Sequence, residues 1–247
     1  MDMNRIRSII RMLILENNST VGYKMIFLAG LPGGGKSTLL RILGIGDQFT
    51  NCNIDNFFEP QLMGTLGTKD LHSLKDNFFR IHHLRKEKMA SGQELTPEEI
   101  EEYEKASHLN REEGRLFRDA INQFKQQIGE VCQVGSNFII DGTAANNKMI
   151  AKQKAEYEAA GYECAMIMVD IDPEMSMARN IQRGKDGGRA IHNSIISDQG
   201  ERMPANIPIY EELFGDNFFL VSNRGTFEEY QAAIESIRPG IDAFMNS

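Results

Sequence analysis

Gly30-Leu31-Pro32-Gly33-Gly34-Gly35-Lys36-Ser37 is the run whose residue types and spacing carry the most specific chemistry in this chain. It satisfies GxxxxGK[ST], in which glycines let backbone N–H groups turn inward around a phosphate where a Cβ would obstruct them. The lysine of such a loop reaches the β- and γ-phosphates, and the hydroxyl after it sits on Mg²⁺. Gly30 to Ser37, with Thr38 behind them, are thus the expected nucleotide cradle, with ATP and Mg²⁺ as its ligands. A helix opening near Lys36 would add the positive end of its dipole.

Two carboxylates stand where strands should end. Asp55, in Asn53-Ile54-Asp55, is placed to take the proton of a hydroxyl attacking the γ-phosphate; its other reading is an Asx turn. Asp141, after Phe138-Ile139-Ile140, fits a Walker-B-like metal carboxylate, with Ser37 as the second expected metal ligand, against a plain Asp-Gly turn. Thr143 is a weaker candidate for positioning a metal water or an acceptor. Further on, Arg179, Arg183 and Arg189 lie where a helix end runs into a glycine-rich basic loop. Guanidinium forks bind phosphate oxygens bidentately, so Arg183 and Arg189 are read as lid residues, and Arg179 equally well as a helix-end cation. His82 and His83, among Arg80, Arg85 and Lys86, read as a solvated helix face.

The elements that must position these groups follow from apolar patterning. Short runs at Met25 to Ala29, before Asp55, and at Phe138 to Ile140, Ala165 to Val169 and Phe218 to Val221 read as buried parallel strands. Helices are expected over Lys36 to Leu43, over Lys148 to Ala160 and from Phe227 onward. This alternation implies an α/β fold, a five-stranded, mostly parallel sheet flanked by helices with ligands at the carboxyl ends of its strands. From about Gln61 to Glu130 the chain turns charged and helix-favouring, a helical insertion. Thr96-Pro97-Glu98-Glu99 is a capping box there, and Phe117, Ala120, Phe124 and Ile128 mark a buried stripe. Ile6, Ile9, Ile10 and Leu13 suggest a short amphipathic helix, so residues 1–22 divide from a kinase-like domain over 23–247.

Composition sets outer bounds. With 247 residues, 41% hydrophobic and 25% charged, one α/β domain with an insertion fits best. No run approaches a membrane span, and the basic start leads only into Met12 to Leu15, which argues against a signal peptide. Cys52, Cys132 and Cys164 stand without CxxC pairing or a matching histidine cluster, so neither a disulfide framework nor a zinc site is suggested, and a reducing cytoplasm fits. The net charge of −8 disfavours a nucleic-acid partner while leaving room for a local basic groove.

Taken together, GLPGGGKS, NIDNFF, FIIDGT and RNIQRGKDGGR resemble the zeta-toxin and polynucleotide-kinase branch of small P-loop kinases over about two-thirds of the chain. The resemblance implies strand order 2-3-1-4-5, ATP as donor, Asp55 as general base, and Arg183 and Arg189 in the lid. It leaves the acceptor open: a small molecule, a nucleotide, a nucleotide-sugar or a 5'-hydroxyl polynucleotide. A GTPase would show NKxD, whereas Asn147-Lys148 continues with Met149-Ile150, and the LSGGQ signature of transporter ATPases is missing. The remaining alternative is an ATP-binding sensor in which the helices bind a protein and no phosphate moves.

Overall fold

The computed structural model describes residues 22–247. The amphipathic helix expected around Ile6 to Leu13 lies outside the described residues.

Strands β1 (Tyr23–Gly30), β2 (Thr50–Asn53), β3 (Phe138–Asp141), β4 (Tyr162–Asp170) and β5 (Phe218–Ser222) form one sheet in the order β2-β3-β1-β4-β5. Every pairing in it is parallel, with Phe27 beside Ile140 on one side and Met166 on the other. Helices cover both faces, which is why the central strands read as continuous apolar runs: successive side chains bury in opposite directions. Met25, Phe27 and Ala29 enter one core with Phe138, Met166, Met168 and Tyr210. Ile26 and Leu28 enter the other with Leu39, Ile139, Ile167, Val221 and Phe244.

Helix α1 (Lys36–Leu43) leaves the loop after β1 and ends at Gly44, whose left-handed φ of 71° closes the last turn. Between β2 and β3 the chain builds α2 (Asp55–Leu66), α3 (Leu71–Ala90) and α4 (Pro97–Val134). Phe58, Leu62, Leu71, Leu116 and Ala120 give these helices a core of their own. The Thr96 and Glu99 capping box is formed, with Pro97 in the first turn. Two readings of this region need correction. Phe117 is 40% exposed and meets Phe58 edge-on, because the stripe turns toward a cleft at that level while Leu116 and Ala120 face inward. His82 is half-buried, stacked between Phe78 and Tyr103, so it is packed where the sequence pointed to solvent, while His83 beside it is exposed as expected.

After β3 follow α5 (Asn147–Glu158), α6 (Pro173–Lys185), α7 (Asn193–Phe214) and α8 (Phe227–Asn246). Helix α7 was not foreseen. Pro204 and Pro208 interrupt its pattern, yet burial of Ile196, Met203, Tyr210 and Phe214 holds it together against the lost backbone bonds. No helix among the described residues is long and apolar enough to cross a membrane.

Candidate active site

The loop from Gly30 to Ser37 joins β1 to α1 as the sequence requires, and its shape depends on glycine. Gly33 and Gly35 adopt φ of 72° and 93°, a left-handed backbone that residues with a Cβ rarely adopt. A Cβ on Gly35 would also lie 2.8 Å from Asn223 Nδ2 and 3.0 Å from the Tyr230 ring, and one on Gly33 2.9 Å from Arg179 Cβ. These neighbours are the loop's scaffold. Ser176 Oγ donates to the Pro32 carbonyl (2.6 Å), Arg179 to that of Gly33 (3.2 Å), Asn223 to that of Gly34 (2.7 Å) and Tyr230 to that of Gly35 (2.9 Å). With successive carbonyls bound on the outside, the peptide planes of the cradle are fixed before any ligand arrives. Arg179, left between two readings by sequence, thus braces the loop.

Lys36 Nζ donates to the Gly30 carbonyl at 2.8 Å and lies 3.7 Å from Asp141 Oδ1. The other Asp141 oxygen accepts from Asn53 Nδ2 at 3.0 Å across the β2–β3 pairing. Burial pulls the Lys36 ammonium below the usual lysine range, and the Asp141 carboxylate opposes that shift. Burial likewise pushes Asp141 up, opposed by Lys36. Each charge is expensive here and each stabilises the other, so the pair is poised to exchange partners with a phosphate or a cation.

Asp55 opens α2 one residue after Ile54, its N–H bound to Asn53 Oδ1 at 2.9 Å. The Asx contact therefore exists, but Asn53 makes it, and the Asp55 carboxylate is left free to look elsewhere. Asp55 Oδ2 accepts from Arg189 Nη2 at 2.8 Å, and the guanidinium lies 5.9 Å from the centre of the Phe58 ring. Asp55 Oδ1 and Arg189 Nε are buried without a partner among the described residues. Such atoms are costly unless a bound group satisfies them.

Lys36, Ser37, Thr38, Asp55, Asp141, Thr143, Arg183 and Arg189 all line a single cleft of about 1230 Å³ at the carboxyl ends of the strands. Arg183 reaches it from the end of α6, near enough for its charge to be felt at Lys36. The donor set suits hard ligands. A glycine loop at the mouth of a helix fits a polyphosphate, and a serine hydroxyl and a buried carboxylate lining the same cleft fit Mg²⁺. Sequence reasoning missed the far wall, where Lys69, Lys75 and Glu113 face the same space alongside Phe117. Those residues carry no motif; only the packing of α2, α3 and α4 brings them there.

A parallel sheet in the order 2-3-1-4-5 with a glycine-lysine-serine loop after its central strand defines a P-loop fold of the kinase type. The chain belongs to the zeta toxin family: the model of that family, described as "Zeta toxin", matches residues 94–231, more than half of its length. Among solved structures it is similar to a candidate kinase from Chloroflexus aurantiacus J-10-fl, at 15% identity and a TM-score of 0.50, covering 89% of this chain and 99% of that one. It is also similar, at 14% identity and a TM-score of 0.46, to a chain of the PezAT chromosomal toxin–antitoxin system of Streptococcus pneumoniae, over 100% of this chain and 98% of that one. A chain of the Pnkp1/Rnl/Hen1 RNA repair complex shares 16% identity at a TM-score of 0.46, with 79% of this chain and 48% of that one covered. No curated protein matches the chain by sequence.

Proposed function

We propose that this protein is an ATP-dependent kinase that transfers the γ-phosphate to a hydroxyl of a small-molecule, nucleotide or nucleotide-sugar acceptor. The observation that carries this reading is the convergence, in one cleft, of the glycine loop with two carboxylates and two arginines drawn from β3, α2, α6 and the loop after it. A pure ATP sensor has no need of a second carboxylate facing the loop across the cleft.

In this reading the free N–H groups of the Gly30 to Thr38 loop, in which Pro32 has none and Gly34 already donates to the Leu31 carbonyl, bind the phosphate chain, and Lys36 exchanges the Gly30 carbonyl for β- and γ-phosphate oxygens. Ser37 and Asp141 would hold Mg²⁺, which supplies charge neutralisation along the phosphates when bound. Asp55 accepts the proton of the attacking hydroxyl through the oxygen that is now buried and unpaired. Arg189 leaves Asp55 for a phosphate oxygen, joined by Arg183, so that the base is released as the donor is clamped. Desolvation in the closed cleft strengthens each of these contacts.

The test is transfer of labelled γ-phosphate with panels of hydroxyl compounds, beside ATP binding measured directly. A kinase transfers label to at least one class and does so through Asp55. Tight ATP binding with no transfer to any class would instead make the protein a nucleotide sensor.

A further inference from the structure

We propose that His72, Asp76 and His192 form a binding site for one divalent transition-metal ion of the zinc class, fastening the start of α3 to the chain that follows Arg189. His72 and Asp76 are one helical turn apart on α3, whereas His192 is the residue that precedes α7. Asp76 lies between the two rings: Oδ2 is 3.3 Å from His72 Nε2 and Oδ1 is 2.8 Å from His192 Nε2. One ligand atom from each residue falls within 4.8 Å of the others. A tetrahedral ion with bonds of about 2.0–2.2 Å sets its ligand atoms about 3.4 Å apart, so the cluster needs little movement to close on one.

The donor chemistry is selective. Two imidazoles and one carboxylate suit zinc and its first-row neighbours over Mg²⁺ or Ca²⁺, and three protein ligands leave the fourth position to water. His192 Nδ1 now accepts from the Ser194 N–H at 3.3 Å and lies 2.7 Å from Ser194 Oγ; metal binding through Nε2 shifts the ring proton to Nδ1, which then donates to that hydroxyl in place of the cap. The Phe79 ring packs edge-on against His192, with centroids 5.1 Å apart, and His72 and His192 are 5.5 Å apart at modest tilt. Asp76, whose side chain is 58% exposed, gives the ion its path in.

The site also sits on a strap. Leu71 and His72 N–H groups both donate to the Ala190 carbonyl (2.9 and 3.1 Å), and Ala190 N–H donates to that of Lys69 (3.2 Å). Arg189, which grips Asp55, is the residue before Ala190. An ion bound by His72, Asp76 and His192 would therefore add a further fastening between α3 and the arginine loop, outside the phosphate cradle.

The experiment uses the full chain, stripped of metal and held in excess Mg²⁺ so that oxygen-rich sites are filled. Zn²⁺ is titrated calorimetrically, and Co²⁺ is followed by its visible absorption. The proposal expects one ion per chain, a tetrahedral Co²⁺ spectrum, and affinity at least about tenfold weaker in each of His72→Gln, Asp76→Asn and His192→Gln, with binding retained in Asp141→Asn. Asp76→Asn changes an exposed side chain, so circular dichroism of that variant should match the parent and keep the comparison valid. No stoichiometric binding, or binding equally strong in all three variants, overturns the site.

Discussion

Along one wall of the cleft, four consecutive carbonyls from Pro32 to Gly35 each accept a hydrogen bond from a scaffold side chain. Along the other, Asp55 and Arg189 hold each other by one contact, and each keeps a buried polar atom unpaired. The first wall grows from the sheet and its flanking helices; the second is assembled from α2 and the loop between α6 and α7. Satisfied polar groups in a packed frame make a preorganised site, whereas an ion pair with spare lone pairs and donors can be exchanged for something else. In the proposed kinase the donor side is accordingly preorganised, and the acceptor side is the part left to be completed by substrate.

If the donor wall is prebuilt, its central cation should matter most. Lys36→Ala should leave a folded protein and lower phosphate transfer by on the order of 10³-fold or more, because the ammonium acts on charge developing in the transition state. Near-parent turnover would break the assignment of the loop. Arg189→Lys keeps a charge opposite Asp55 but loses the fork that would hold the phosphate as it transfers, so transfer should fall by about 10- to 100-fold with a smaller loss of ATP affinity. An equal loss in binding and turnover would mean that Arg189 grips ATP already in the ground state and adds nothing in the transition state. Asp141→Asn removes one negative charge from the proposed metal position and should raise the Mg²⁺ concentration for half-maximal activity by about tenfold. A superimposable Mg²⁺ titration would return Asp141 to a structural role. The smallest effect belongs to the scaffold: Tyr230→Phe loses one bond to Gly35 and should cost about 1 kcal/mol, seen as a melting temperature lower by about 2–4 °C. A loss far beyond that would mean the loop depends on this one bond and is less well braced than the four contacts suggest.

The two walls also differ in how far the sequence discloses them. The donor wall is written locally: an apolar run, a glycine-rich loop with lysine and serine, then a helix, so Gly30 to Thr38 follow from contiguous residues, whereas the strand order comes with the family resemblance. Asp141 is legible for the same reason, at the end of FIID. The acceptor wall is made by contacts between distant residues. Nothing local pairs Asp55 with Arg189, 134 positions away, or turns Phe117 toward the cleft while Leu116 beside it stays buried. Helix α7 escaped because Pro204 and Pro208 speak against a helix that tertiary burial nonetheless maintains. His72 and Asp76 show their spacing plainly, but His192 joins them only through the fold.

The division between a rigid donor wall and a chemically active acceptor wall is tested most directly at Asp55. Asparagine keeps the size and most hydrogen bonds of aspartate but cannot take a proton. In Asp55→Asn, ATP affinity measured by calorimetry should stay within about twofold of the parent, while the rate of phosphate transfer to a hydroxyl acceptor falls by roughly 10²- to 10⁴-fold. Transfer at the parent rate would contradict the account, because the proton would then be leaving the acceptor by a route that does not involve Asp55.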